Sequence, residues 1–240
     1  MKPTIARAAI ASQLAYFGVK QFTAYGFTDV MKVEHEGGSE AYIVEDEDTI
    51  FVVFAGTNEA NDLLTDIRFQ KATAFSDLQL HRGFWEAWRD ISDQVAGELM
   101  QRNLIMSYDE EMTQKQVVFC GHSLGGALAV IAAATLNPTY CVTFGAPPVG
   151  GQKFKDRCDA SVTVYLRYIL NRDPVPRLLK WHPKYKHTGG LIFIDGFGQH
   201  HVNPSFWKML WHRLPFVYRL KDHSIEAYCV AGGFKRGIIL

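Results

Sequence analysis

The segment Gly121-His122-Ser123-Leu124-Gly125-Gly126-Ala127, placed directly after Lys115-Gln116-Val117-Val118-Phe119-Cys120, constrains this chain more than any other. The apolar, β-branched run before it reads as a strand, and Leu124, Ala127, Leu128 and Ile131 after it recur at helical spacing. The turn between the two must be so tight that glycines flank the serine. In such a G-x-S-x-G elbow the serine is raised at the end of a sheet, where its hydroxyl can act as a nucleophile.

The same alternation of strand and helix runs along the chain. Ile5, Ala8, Ala9, Ser12 and Tyr16 form one stripe of an opening helix that stops near Gly18. Ala41 to Val44 and Thr49 to Phe54 read as strands joined by an acidic turn, Glu45-Asp46-Glu47-Asp48. Phe84, Trp88, Ile91, Val95 and Leu99 mark a long amphipathic helix. After the strand at 116–120 come a helix from Ser123 to about Leu136, a strand at Thr139 to Phe144, a short helix after Gly151 and strands at Val162 to Leu170 and Leu191 to Ile194. Helices over Ser205 to Arg213 and Asp222 to Val230 complete the pattern. The expected fold class is α/β, with a mostly parallel central sheet flanked by helices and sites at the carboxyl ends of its strands. A length of 240 residues with 48% apolar and 21% charged residues suits one large domain, 1–240, with a sizeable core.

Charge and cysteine usage narrow the function classes. The formal net charge is zero, so no global field argues for nucleic acid. Locally, Pro174 to Lys221 carries eight basic residues against Asp195 alone, a balance of +7, and the remainder is −7 with an acidic run from Glu34 to Asp48. Cys120, Cys141, Cys158 and Cys229 match neither a zinc pattern nor C-x-x-C. They suit a reduced setting, with two disulfides left open. Ser12 and Gln13 interrupt the apolar N-terminal stretch, so no signal peptide is read. The longest mainly apolar stretch, Ala127 to Leu136 with Thr135 inside it, is ten residues, well short of the about 20 that span a bilayer. The expected location is cytoplasmic, with signal-independent export open. No cofactor is implied, and the adjacent His200-His201 pair lacks a third ligand at convincing spacing, so no metal is expected.

A serine needs a base, and the base needs a carboxylate to hold its tautomer. Behind an elbow the order is serine, acid, histidine. Asp173, just past a hydrophobic strand and fixed by Pro174 and Pro176, is the first choice of acid; Asp195, in a common Asp-Gly turn pair, is the second. Of the histidines that follow, His223 stands at a loop-to-helix junction in Asp222-His223-Ser224, whereas His122 reads as structural. For the oxyanion, the backbone N–H of Leu124 is one expected donor. The loop Phe54-Ala55-Gly56-Thr57 offers Thr57 as the other, a residue that equally suits a helix N-cap.

Taken together these segments resemble the class 3, or fungal-type, lipase family of α/β-hydrolases. The matching pieces are Val53-Phe54-Ala55-Gly56-Thr57, His81-Arg82-Gly83-Phe84, the elbow, Thr143-Phe144-Gly145-Ala146-Pro147, Asn171-Arg172-Asp173-Pro174-Val175-Pro176 and Asp222-His223-Ser224-Ile225-Glu226-Ala227-Tyr228. They stand in the family's order over roughly residues 45 to 230. The resemblance implies Ser123 as nucleophile, Asp173 as orienting acid, His223 as base, and Thr57 and Leu124 as oxyanion donors. It implies cleavage of carboxylic esters, most directly acylglycerols, through an acyl-serine; acyl transfer and a scaffold without turnover are the alternatives. Two departures are Ala55, where the family often has arginine, and the lack of evident signal peptide and disulfides that secreted fungal members carry. A lid is implied after the oxyanion loop, where Ala60, Leu63, Leu64 and Ile67 follow i, i+3, i+4, i+7. Finally, Phe206, Trp207, Leu210, Trp211, Phe216 and Tyr218 interleave with Lys208, Arg213, Arg219 and Lys221. That mixture suits peripheral contact with an anionic membrane or lipid droplet, and its place between Asp173 and His223 predicts a position near the site's rim.

Overall fold

A computed structural model describes residues 3–56, 74–75, 78–105, 115–178, 184–211 and 220–234. The chain opens with helices α1 (Pro3–Leu14) and α2 (Val19–Ala24), separated at Gly18, whose φ of 87° suits a residue without a Cβ. Strands β1 (Thr28–Glu34), β2 (Glu40–Asp46) and β3 (Thr49–Phe54) follow as an antiparallel meander. A small antiparallel ribbon, β4 (Ala74–Phe75) with β5 (Leu80–His81), leads into the long helix α3 (Arg82–Ile105). From there strand and helix alternate as β6 (Gln116–His122), α4 (Leu124–Leu136), β7 (Tyr140–Phe144), α5 (Gln152–Ser161) and β8 (Val164–Leu170). Strands β9 (Gly190–Ile194) and β10 (His200–Val202) and helices α6 (Phe206–Trp211) and α7 (Ile225–Ala231) complete the described chain.

Eight of these strands share one sheet in the order β1-β2-β3-β6-β7-β8-β9-β10. Pairing is parallel from β3 through β9 and antiparallel toward both edges. Burial explains the order. Every residue of β3 and β7 is buried, as a strand covered on both faces requires, whereas β1 at the edge is mostly exposed or half-buried. One face of the sheet packs on α3, α4 and α5 through Phe54, Trp88, Ile91, Phe119 and Ile131. The other packs on α1, α2 and α7 through Ala8, Phe22, Phe51, Val53 and Tyr228. The α/β-hydrolase architecture read from the sequence is therefore present, and the implied lid residues lie outside the described residues.

Parallel strands put their carboxyl ends at one edge of the sheet, and the segments after β3, β6, β7 and β8 all emerge there. The β10 strand runs the other way, pairing Val202 with Ile192, and Asn203 N–H bonds the carbonyl of Leu191. The chain thus enters α6 from the edge opposite Ser123, because β10 adds antiparallel to β9. All four cysteines are buried thiols outside any disulfide. Burial pushes the thiols of Cys120 and Cys158 up to about 12, and that of Cys141 well above its ordinary value. Among the described residues no helix is long and apolar enough to cross a membrane.

Candidate active site

Strand β6 ends at His122 and helix α4 begins at Leu124, so Ser123 alone makes the turn, with φ 58° and ψ −123°. A non-glycine residue held in that region stores strain, and the surroundings hold it there. The Ser123 N–H bonds the carbonyl of Phe144 at 3.0 Å, and its own carbonyl accepts the Ala127 N–H at 3.2 Å. The flanking glycines are sterically required. A Cβ on Gly121 would collide with the backbone of Gly125, and one on Gly125 with the carbonyl oxygen of Phe54.

Asp173 follows β8, and its loop is fixed from both sides. Asp222 Oδ2 accepts hydrogen bonds from Asn171 Nδ2 and Arg172 N–H, both at 3.1 Å, and so ties the loop carrying Asp173 to the turn carrying His223. Asp173 Oδ1 accepts the Val175 N–H at 2.9 Å. Oδ2 accepts the Tyr228 hydroxyl proton at 2.6 Å, and the same Tyr228 oxygen accepts the Leu170 N–H at 3.0 Å. Burial, with Asp173 beside it, pushes the Tyr228 phenol well above its ordinary value, so it remains a donor.

These restraints bring the three expected side chains together from sites 50 and 100 residues apart. His223 Nδ1 lies 3.0 Å from each Asp173 oxygen, and Nε2 lies 2.8 Å from Ser123 Oγ. A carboxylate only accepts, so the imidazole proton sits on Nδ1 and the Nε2 lone pair faces the serine hydroxyl. All three residues are buried. Room for them comes from Gly145 (φ 62°), where a Cβ would stand 2.7 Å from Asp173 Oδ2 and 3.2 Å from His223 Cε1. Leu124 opens α4, so its N–H belongs to the first turn, whose donors have no intrahelical acceptor. Thr57, Leu63, Leu64 and Ile67 lie outside the described residues. The loop that leads to Thr57 is seated on the elbow: a Cβ on Gly56 would strike the Tyr16 hydroxyl and stand 2.8 Å from the His122 carbonyl oxygen.

Asp195, the second choice of acid, does other work. Its Oδ1 accepts the N–H groups of Phe197 and Gln199 at 2.9 and 3.0 Å, and Oδ2 pairs with His201 Nε2 at 2.9 Å, closing the β9–β10 turn. Spacing gives no role to Tyr16 or Tyr228, yet both touch the site. The available signal was weak: each is a tyrosine in an apolar stretch, whose hydroxyl needs a partner once buried. Geometrically, the arrangement can take a proton from an alcohol, return it to a leaving group and hold the imidazolium between by a carboxylate.

A family model described as Lipase (class 3) matches residues 51–182. The secreted mono- and diacylglycerol lipase LIP4 of Malassezia restricta is 31% identical over 146 residues, covering 58% of this chain and 47% of that protein. Secreted mono- and diacylglycerol lipase 1 of Fusarium solani is 30% identical over 167 residues, covering 66% of this chain and 48% of that protein. The chain therefore spans about half the length of the curated relatives it matches. Among solved structures, lipase II from Rhizopus niveus superimposes with a TM-score of 0.72 at 20% identity, over 92% of this chain and 89% of that one, a likeness of fold.

Proposed function

This chain belongs to the class 3 lipase family, and from that premise we propose that it is a serine carboxylic-ester hydrolase acting on acylglycerols. Ser123 Oγ attacks the ester carbonyl while His223 Nε2 takes its proton. The C–O bond to the alcohol breaks as His223 returns that proton to the leaving oxygen, and an acyl-serine remains. Water, deprotonated by the same nitrogen, then releases the acid. Asp173 holds the imidazolium, and the N–H of Leu124 with Thr57 receives the developing oxyanion, each donor worth about 2.7–4 kcal/mol in the transition state. The observation that carries this reading is the 2.8 Å approach of His223 Nε2 to Ser123 Oγ with Asp173 3.0 Å behind it. The relatives' names favour mono- and diacylglycerols as substrates. Turnover of p-nitrophenyl esters tests the chemistry: Ser123→Ala should lower kcat by about a million-fold. Equal activity in the variant would overturn it. A panel of mono-, di- and triacylglycerols, read by fatty-acid release, tests the substrate class.

Peripheral contact with anionic lipid is the second part of the proposal. Helix α6, Phe-Trp-Lys-Met-Leu-Trp, buries none of its residues, with Trp207 75% and Trp211 76% exposed. Phe197, at the β9–β10 turn, is 90% exposed and Val202 71%. These residues run along the β10 edge of the sheet, inside the stretch whose balance is +7. Aromatic rings at headgroup depth beside cations suit an anionic surface approached edge-on. Phe197→Ser, Trp207→Ser and Trp211→Ser combined should abolish cosedimentation with phosphatidylserine vesicles and leave soluble-ester kcat intact; unchanged vesicle binding refutes the contact.

A further inference from the structure

Beside the three reacting side chains lies a second hydrogen-bonded chain, half-buried at Tyr16 and buried at His122, that joins the N-terminal helix to the base. His122 Nε2 is 2.5 Å from the main-chain carbonyl of His223, and His122 Nδ1 is 2.7 Å from the Tyr16 hydroxyl. A carbonyl only accepts, so the His122 proton must sit on Nε2, and its Nδ1 lone pair must take the Tyr16 proton. Direction is therefore fixed along the whole chain: Tyr16 O–H donates to His122, and His122 N–H donates to His223. Burial, then the neighbouring His223, holds His122 well below its ordinary value, so the ring is neutral. Burial likewise raises the Tyr16 phenol, which stays protonated.

The carbonyl so held is one that helix α7 leaves unused. The helix's first backbone bond runs from Tyr228 N–H to the Ser224 carbonyl, one residue beyond His223. A buried carbonyl without a donor is costly, and here the donor comes from the elbow itself. The two imidazole centroids are 4.6 Å apart, so a charged His122 would oppose the imidazolium that His223 must become; a neutral one does not. Tyr16 also stands where a Gly56 Cβ would be, directly under the loop that leads to Thr57.

We propose, resting on the serine-esterase reading, that Tyr16 and His122 are positioning residues. Their bonds fix the main chain of His223 so that its Nε2 stays on Ser123 Oγ, and they register the oxyanion loop against the same point. Tyr16 lies 35 residues before the segment matched by the family model, which begins at residue 51. The groups facing His122 are Tyr16, His223 and, at 6.0 Å between rings, Tyr228.

Three measurements decide it. In wild-type protein with ¹⁵N-labelled histidine, His122 should stay neutral with its proton on Nε2 throughout neutral and mildly alkaline pH; a proton on Nδ1 would overturn the chain of donors. His122→Leu should lower kcat on a soluble ester by about 10- to 100-fold with KM little changed, the scale of a misplaced base. His122→Gln, whose amide nitrogen can reach the same carbonyl, should recover most of that loss. Tyr16→Phe, nearly isosteric, should cost about 3- to 10-fold, the worth of one neutral hydrogen bond. Wild-type kcat in folded His122→Leu, or a glutamine variant no better than leucine, would sink the proposal. Labelling by a fluorophosphonate separates the two readings. If wild type is not labelled at Ser123, the esterase reading fails; if His122→Leu is labelled at the wild-type rate, only the positioning role fails.

Discussion

Tyr228 uses one hydroxyl twice, donating to Asp173 at 2.6 Å and accepting from the Leu170 N–H at 3.0 Å. Removing it leaves a buried N–H unpaired and a carboxylate with one donor fewer. Tyr228→Phe should therefore lower stability by about 1–3 kcal/mol, the cost of an unsatisfied buried group. Denaturant melts measure that, and a fall in kcat in the same variant reports the weaker hold on Asp173. Buried histidines give a second residue-scale expectation. Burial holds His81 and His122 below their ordinary value of 6.5. The unfolded chain therefore takes up protons near that pH that the folded chain refuses. Stability should be full above it and fall as pH drops below, by up to about 1.4 kcal/mol per pH unit for each proton. Melts at pH 7.5 and 5.5 test the slope, and His81→Phe should flatten it. Ser123, Asp173 and His223 were legible in the sequence because their chemistry has a fixed order and strand-end setting. Tyr16 was not, because its partner His122 is 106 residues away and only folding reveals the contact.

Helix α4 lies against β3 and β7 because its first turn is glycine. The Phe54 carbonyl occupies the space of a Gly125 Cβ, and the Ala146 Cβ lies 2.8 Å from where a Gly126 Cβ would stand. Gly125→Ala should push the helix off the sheet at a cost of about 3 kcal/mol or more, the upper end of overpacking. Activity should fall with it, since Ser123 rides on that turn. Gly97, in the middle of α3, is the contrasting case, with open space for 4 Å around the point where a Cβ would stand. Gly97→Ala should stabilise by about 0.5–1 kcal/mol through helix propensity and a less flexible unfolded chain. Thermal melts of the two variants should move in opposite directions. At this scale the sequence spoke clearly for central strands and long helices, whose apolar runs are continuous or periodic. It was silent on β1, where only Val33 is buried, and on β10, three residues containing two histidines. Edge strands need little apolar surface, so they leave little pattern.

Over the whole molecule, charge is divided where the net is not. The Pro174 to Lys221 stretch carries +7 and the rest −7, so an anionic surface should orient the protein before it binds. Binding to phosphatidylserine vesicles should weaken steeply as salt rises, because screening shortens to about 3 Å at 1 M. Binding indifferent to salt would assign the contact to the aromatic rings alone. The layered, largely parallel sheet was readable from alternation of period, while the direction of β10, and with it the side from which α6 departs, was set by pairing that no local pattern encodes. The four sealed thiols have a practical consequence. Cys120, Cys141, Cys158 and Cys229 belong to β6, β7, α5 and α7, so no single loop motion uncovers them all. An alkylating reagent should leave the native protein unmarked and tag each site as its own element opens, giving a four-point clock of unfolding without any engineered probe.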